Sequence, residues 1–377
     1  MAGLYLHFPF CKQACHYCNF YFSTSAKNKP QLIQALKKEL HLRRASQSAP
    51  LESIYFGGGS PSLLSLSDLE EILTVIRETY ALAASPEITL ELNPDDGNTA
   101  YLKGLKQLGI NRLSVGVQSF LDRDLQLMHR VHTARESEEV LGEVATLFEN
   151  FSVDLIYGNP QSSLKEWQQT MAKALSYNPP HISAYALTVE PKTVLAHRVK
   201  NNLISLLDDE MVQAQYDDLV YTLTNRGFRN YEFSNFAQAG YYAVNNSSYW
   251  QGKPYMGIGP SAHSYDGAFL RSWNISSTTK YIQAIEENRL PQETETLTRK
   301  DRFNEYIMTG LRTEWGVSLQ QVNREFGPQY GEYLEKQAEQ QIQAHRLFWD
   351  GDILRIPVKA RFLSDGIAAE LFLVNLV

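Results

Sequence analysis

Residues 4–18 read Leu4-Tyr5-Leu6-His7-Phe8-Pro9-Phe10-Cys11-Lys12-Gln13-Ala14-Cys15-His16-Tyr17-Cys18. The run 4–8 alternates large apolar and aromatic side chains, the pattern of a β-strand. Pro9 closes it, and three cysteines follow at once. This unit, a strand that ends in chemistry, recurs along the chain. Strand-like runs appear again at 53–56, 88–92, 112–117, 153–157 and 182–187. Amphipathic helical patterns lie between them at 32–40, 66–80, 100–108, 137–149 and 164–177. Ser67, just ahead of Asp68, is the expected N-cap of the second of these helices. Six strand-then-helix units imply a parallel sheet, because parallel neighbours need crossover helices.

The strand ends separate two parallel architectures. They carry the cysteine loop, Gly57-Gly58-Gly59-Ser60-Pro61, Glu91-Leu92-Asn93-Pro94, Gly116-Val117-Gln118-Ser119, Asp154 with Tyr157-Gly158, and Tyr185 to Glu190. A doubly wound sheet gathers its chemistry at one crevice, whereas a barrel spreads it over all its C-terminal strand ends. The expected fold class is therefore α/β, a partial (β/α)6 TIM-like barrel, spanning residues 1–235. Residues 236–300 are expected to form a connecting segment. From 301 to 377 helical patterns dominate (303–312, 319–326 and 333–346). Asp350-Gly351 then sits between two β-rich runs as a hairpin turn. Helices followed by a β-ribbon predict a small helical, winged-helix-like domain, structural or docking in role because it lacks a basic recognition stripe.

Composition narrows the classes further. The chain has 377 residues, 43% hydrophobic, enough for a large domain and a smaller one. No apolar run reaches the length of a membrane span, and the N-terminus lacks a signal-peptide layout. A net charge of −7 with no long basic block argues against nucleic-acid partners. All 3 cysteines lie between positions 11 and 18, which argues against a disulfide framework and for a reducing, cytoplasmic setting.

Three thiolates in one loop suit an iron–sulfur cluster, which usually takes four protein ligands. Three would leave one iron open to an exchangeable ligand, as catalytic metals keep a vacant position. The bland alternative is a structural zinc with His16 or another histidine as fourth ligand. Cys-x-x-x-Cys-x-x-Cys followed by Gly57-Gly58-Gly59-Ser60-Pro61 resembles the radical SAM superfamily. The strings Leu4 to Cys11 and Asp154-Leu155-Ile156-Tyr157-Gly158 resemble the coproporphyrinogen dehydrogenase group, and within it the HemW-type heme chaperones, over essentially the whole chain.

The resemblance implies a [4Fe–4S] cluster on Cys11, Cys15 and Cys18 whose open iron binds S-adenosylmethionine (SAM) through its amino and carboxylate groups. An electron from the reduced cluster then splits SAM into methionine and a 5′-deoxyadenosyl radical. By motif, Tyr5 lies beside the cluster loop, and Gly58, Gly59 and Ser60 admit the methionine end. Glu91, Gln118, Arg130 and Asp154 supply polar contacts, with Thr188 and His263 in the last matching positions. No further catalytic residue is assigned. Each has a plainer reading: a glycine run is often only a tight turn, and acids in apolar runs usually have structural partners.

Two details bear on activity. The dehydrogenases carry a further cysteine two residues after the third, where this chain has Phe20, and an extension ahead of the motif, where the first cysteine here is already residue 11. Both match the chaperones, which implies heme as cargo, a heme acceptor (membrane-bound in one variant of this reading) and an electron donor as partners. The alternatives are oxidative decarboxylation of coproporphyrinogen III, and a cluster-bearing module that docks a membrane heme acceptor. The chaperones' His-Asn-x-x-Tyr-Trp motif reads Asn245-Asn246-Ser247-Ser248-Tyr249-Trp250 here. Asparagine is a poor heme-iron ligand, which leaves His7 and His263 as candidate ligands and Asn246, Tyr249 and Trp250 as candidate heme contacts. A satisfied structural role is the plainer reading of both histidines.

Overall fold

The structure, a computed structural model, describes residues 2–46 and 49–374. Six strands, β1 (Ala2–Phe8), β2 (Leu51–Gly58), β3 (Leu82–Leu92), β4 (Arg112–Gln118), β5 (Phe151–Tyr157) and β6 (His181–Ala186), pair in parallel in chain order. The crossovers are α1 (Lys29–Leu42), α2 (Leu66–Thr79), α3 (Thr99–Leu108), α4 (Asp122–Leu127) with α5 (Ala134–Leu147), and α6 (Leu164–Leu175). The six units are those expected from sequence. Because β1 and β6 each gain other neighbours and do not pair with one another, the barrel stays open.

Period-two alternation sorts the strand residues. Leu4, Leu6, Phe8, Ile54, Phe56, Leu90, Leu113, Val115, Val153 and Leu155 belong to the main apolar core beneath the helices. The alternate residues face inward and are polar: Tyr5 stacks on Tyr55, Tyr55 bonds Glu91, and Ser114 bonds Asp154. Parallel strands buried on both faces usually read as unbroken apolar runs. These alternate because the inner face lines a polar cavity.

Two local details differ from the expectation. Ser65, not Ser67, caps α2: its side chain accepts from the Asp68 N–H while Asp68 returns a bond to the Ser65 N–H. The reciprocal pair joins residues three apart, and Ser65 with Asp68 forms it one residue ahead of Leu66, which leaves Ser67 inside the helix. Strand β3 also starts earlier than residue 88. Leu51 pairs with Leu82 but Ser53 with Glu87, so the extra residues around Pro86, which has no N–H to give, bulge out of the ladder.

After β6 come α7 (Val194–Lys200) and α8 (Asp209–Thr224), then β7 (Arg229–Glu232) and β8 (Asn235–Ala237), antiparallel additions beyond β6. Residues 236–300 do not stand apart from the barrel. They carry α9 (Val244–Trp250), then β9 (Tyr255–Ile258), which pairs with the free edge of β1. From there β10 (His263–Tyr265), β11 (Leu270–Asn274), α10 (Thr278–Glu286) and β12 (Gln292–Thr296) extend one twelve-stranded sheet.

The C-terminal part has its own core of Phe303, Ile307, Val322, Phe326, Leu334 and Leu354 among others. It comprises α11 (Arg299–Leu311), β13 (Val317–Ser318), α12 (Leu319–Phe326), α13 (Pro328–Gln343), β14 (Phe348–Asp350), β15 (Ile353–Arg355) and α14 (Ser364–Glu370). Gly351, at φ 62°, turns the expected hairpin. Pro328 at the first turn starts α13 earlier than residue 333, because proline is preset for that position.

Candidate functional site

The cysteine loop leaves β1 and is clamped on both sides. The Cys11 N–H bonds the Ser23 carbonyl (3.0 Å) and the Ser23 N–H bonds that of Pro9 (2.8 Å). The Gly59 and Ser60 N–H groups bond the carbonyls of Phe8 and Phe10, each at 2.8 Å, and the His16 N–H bonds that of Met128. A Cβ on Gly59 would lie 2.7 Å from the Pro9 carbonyl carbon, a contact no side chain tolerates. The glycine run therefore serves the close approach of the cluster loop itself.

All three cysteines are half-buried and border one cavity of about 430 Å³. Burial pushes the Cys11 thiol up to about 11 and raises that of Cys18, so both are neutral until a cation takes them. Bound metal supplies that charge and deprotonates its thiol ligands. Among the described residues no three Cys, His, Asp or Glu side chains close around a single ion. A lone zinc would need such a set, whereas a cluster takes one thiolate per iron. The donors fit a cluster.

Around the same cavity stand the other strand ends. Glu91 accepts from Tyr55 Oη (2.9 Å) and from the Gly58 N–H (3.1 Å). Burial, reinforced by the Asp154 carboxylate, pushes its carboxyl up to about 7. Asp154 accepts from Ser114 and Ser152, each at 2.8 Å, and burial raises it too. Arg130 donates through Nη2 to Asn93 Oδ1 (2.7 Å) and the Gly116 carbonyl (2.9 Å), while Nη1 lies 3.7 Å from Cys15 Sγ. Its Nε is buried without a partner, a donor left for an anionic ligand. Gln118 sits at φ 67°, where the β4–β5 register slips, so its side chain is re-aimed at the cavity mouth. Thr188 and Glu190 close the far wall.

The structure thus brings Cys11, Cys15, Cys18, Gly58, Gly59, Ser60, Glu91, Gln118, Arg130, Asp154 and Thr188 onto one cavity. Others of the sequence-derived candidates lie elsewhere. Tyr5 stacks behind the wall on Tyr55, 5.9 Å between centroids. His263 is on β10, exposed and stacked on Trp273. His7 is buried, its Nε2 bonded to the Tyr21 carbonyl (3.0 Å) and its Nδ1 to Tyr5 Oη (3.3 Å), so neither nitrogen is open to a metal. Asn245 to Trp250 form α9 at the opposite end of the barrel. There Glu87 accepts from the Val244 and Asn245 N–H groups, and Asn245 Oδ1 accepts from Ser53 Oγ. Asn246 donates to Tyr231 Oη, Tyr249 packs edge-on to Tyr255, and Trp250 lies under Arg312. This helix plugs the barrel floor.

Several lining residues are additional: Tyr17, Asn93, Ser114 and Tyr185. Asn93 and Ser114 were within reach of the sequence, since Asn93 follows Glu91 by two residues at the end of β3 and Ser114 alternates with the core residues Leu113 and Val115. Tyr17 was not, because a loop has no period.

Residues 5–174 match the radical SAM superfamily and residues 297–363 the HemN C-terminal domain. The chain is 35% identical to the heme chaperone HemW of Bacillus subtilis, covering 89% of this chain and 88% of that one. It is 31% identical to HemW of Mycobacterium tuberculosis, over 98% and 94%. It is also 34% identical to the mitochondrial radical S-adenosyl methionine domain-containing protein 1 of Mus musculus, over 87% and 76%. In fold it superposes on coproporphyrinogen III oxidase (HemN) of Escherichia coli with a TM-score of 0.85 at 21% identity, covering 98% and 90%. Superfamily membership implies a [4Fe–4S] cluster and SAM binding. The chain belongs to the HemW heme chaperone family of the radical SAM superfamily.

Proposed function

We propose that this protein binds heme and delivers it to an acceptor, and that Cys11, Cys15 and Cys18 hold its [4Fe–4S] cluster. The observation that carries the reading is the shared cavity. Three thiols, an unspent guanidinium N–H and two buried carboxyls face one space sized for a nucleoside. When bound, the cluster supplies an open iron for the SAM amino acid and an electron. The chain's own residues do the positioning: Arg130 and Gln118 bind the carboxylate end, Glu91 and Asp154 the cationic and ribose groups, and the backbone at Gly58 to Ser60 fixes the loop. Decarboxylation is the lesser reading, because Phe20, where the oxidases have a further cysteine, is 69% exposed at the cavity mouth and offers no thiol. No helix among the described residues is long and apolar enough to cross a membrane. The clustered cysteines favour the cytoplasm, where thiols stay reduced. A heme acceptor and an electron donor complete the proposal.

Anaerobic reconstitution tests it, followed by separate assays for heme binding and for porphyrin product. We expect one heme bound per chain and no conversion of coproporphyrinogen III. Turnover without heme affinity overturns the reading.

Glu91 gives a pH signature. Its folded carboxyl titrates at about 7 against an ordinary 4.5. The folded protein therefore keeps a proton that the unfolded chain has released, and the ligand-free protein loses stability as pH rises across that window. A cationic sulfonium ligand favours the ionised carboxylate, so SAM affinity should climb about tenfold between roughly pH 6 and 8. Equilibrium dialysis across that range should show the rise in the native protein and a flat profile in Glu91→Gln.

A further inference from the structure

If this protein carries heme, the iron needs a ligand, and the barrel-floor helix does not supply one. Asn245 is not an imidazole, both nitrogens of His7 are engaged, and the His263 ring lies against Trp273. A different pair is presented on the outer side of the cluster loop. His16 and His129 stack with ring centroids 4.5 Å apart and planes 2° from parallel. His16 Nδ1 donates to the Leu127 carbonyl (2.9 Å) and His129 Nδ1 to that of Ala14 (2.8 Å). Each Nδ1 therefore carries a proton, which leaves Nε2 as the nitrogen that can offer a lone pair. No hydrogen bond from a described residue engages either Nε2.

We propose that His129 is the axial ligand of the heme iron in this protein, with His16 stacked behind it as its support. This rests on the heme-carrying reading above and assigns the ligand within it. Histidines that ligate metals commonly give their second N–H to a carbonyl, which orients the ring and raises its basicity. Each lone pair lies in its own ring plane, and parallel planes do not meet, so the two rings cannot chelate one ion. One of them ligates. His129 is the exposed member and His16 is half-buried, so a macrocycle can reach only the former edge-on.

The backbone supports the same assignment. His129 adopts φ 59°, a left-handed conformation uncommon for a side chain-bearing residue. It is held there by its own ring bond and by Gln13 Nε2, which donates to its carbonyl (3.0 Å). The surroundings suit a flat apolar dianion. Val194 is 45% exposed at the start of α7 beside Leu195, whose N–H bonds the His16 carbonyl. Arg198 on the same helix adds a positive charge close enough to act on the His16 ring.

The test uses the full chain with its cluster reconstituted anaerobically, titrated with ferric protoporphyrin IX iron and read by electron paramagnetic resonance and affinity. The native protein should show a nitrogen-ligated heme. His129→Gly and His129→Asn, both compatible with a left-handed backbone, should lose that signature and bind heme at least about tenfold more weakly. Added imidazole should restore the signature in His129→Gly, and His263→Phe should keep it. Nitrogen ligation that survives in both His129 variants, or that disappears in His263→Phe, overturns the assignment while leaving heme carriage intact. No heme uptake by the native protein defeats the carrier reading itself.

Discussion

Cys15→Ser should leave a folded, colourless protein with no SAM cleavage. A serine hydroxyl is a poor substitute for a soft thiolate at iron, and two remaining cysteines cannot hold three irons of a cluster. Cys15 is also the thiol beside Arg130, at 3.7 Å from Nη1. The loop is held by backbone bonds from Cys11, Ser23, Gly59 and Ser60, none of which uses the Cys15 side chain. The fold should therefore persist, with unfolding free energy changed by about 0.5 kcal/mol or less in the metal-free form. Iron and sulfide analysis, the visible chromophore and 5′-deoxyadenosine release measure the outcome together. Full iron and sulfide in the variant would remove Cys15 from the ligand set.

The second large effect lies away from the cavity. Glu39 on α1 is fully buried and accepts from the Gly259 N–H (2.8 Å), Asn274 Nδ2 (2.9 Å) and Tyr281 Oη, with Arg43 Nη1 at 3.7 Å. Arg43 in turn donates to the Gly257 carbonyl (2.7 Å) and Ser264 Oγ (3.1 Å). One carboxylate thus ties α1 to β9, β11 and α10. Burial raises its pKa, which Arg43 and the three donors oppose. Glu39→Leu strands a buried guanidinium and three donors, so we expect a loss of about 3–5 kcal/mol in chemical denaturation. That is a large fraction of a typical folding free energy of about 5–15 kcal/mol. Glu39→Leu/Arg43→Met should recover part of the loss, since an apolar pair leaves no buried charge. A single variant as stable as the native protein would show that the network is not what anchors the extension.

The chain's own residues announce the six barrel units because each is local. Period-two alternation, helical stripes, Gly and Pro punctuation and helix caps all act within a few residues, and the expected strands and most helices appear where they were read. The places that differ also have local causes: the capping box chooses Ser65, Pro328 starts α13 early, and Pro86 bulges β3. By contrast α8 has only a weak apolar stripe, its buried positions including Gln215 and Tyr216, and its local signal is confined to the Asp208 N-cap and the acidic first turn.

The candidate site divides in the same way. Three cysteines within eight positions declare their chemistry unaided, because a single loop sets their spacing. Which distant residues share their cavity depends on strand register, and register is fixed by packing across the sheet. Hence Glu91, Gln118, Arg130 and Asp154 converge, whereas the Asn245–Trp250 stretch, aromatic and inviting in isolation, becomes the floor plug on Glu87. His16 and His129 are more than a hundred positions apart and meet only because the α4–α5 connection crosses the cluster loop. Sequence determined which groups this protein can use, through short-range patterns that survive without a fold. Tertiary structure decided which of them face the same space, since that follows from long-range pairings no local pattern encodes.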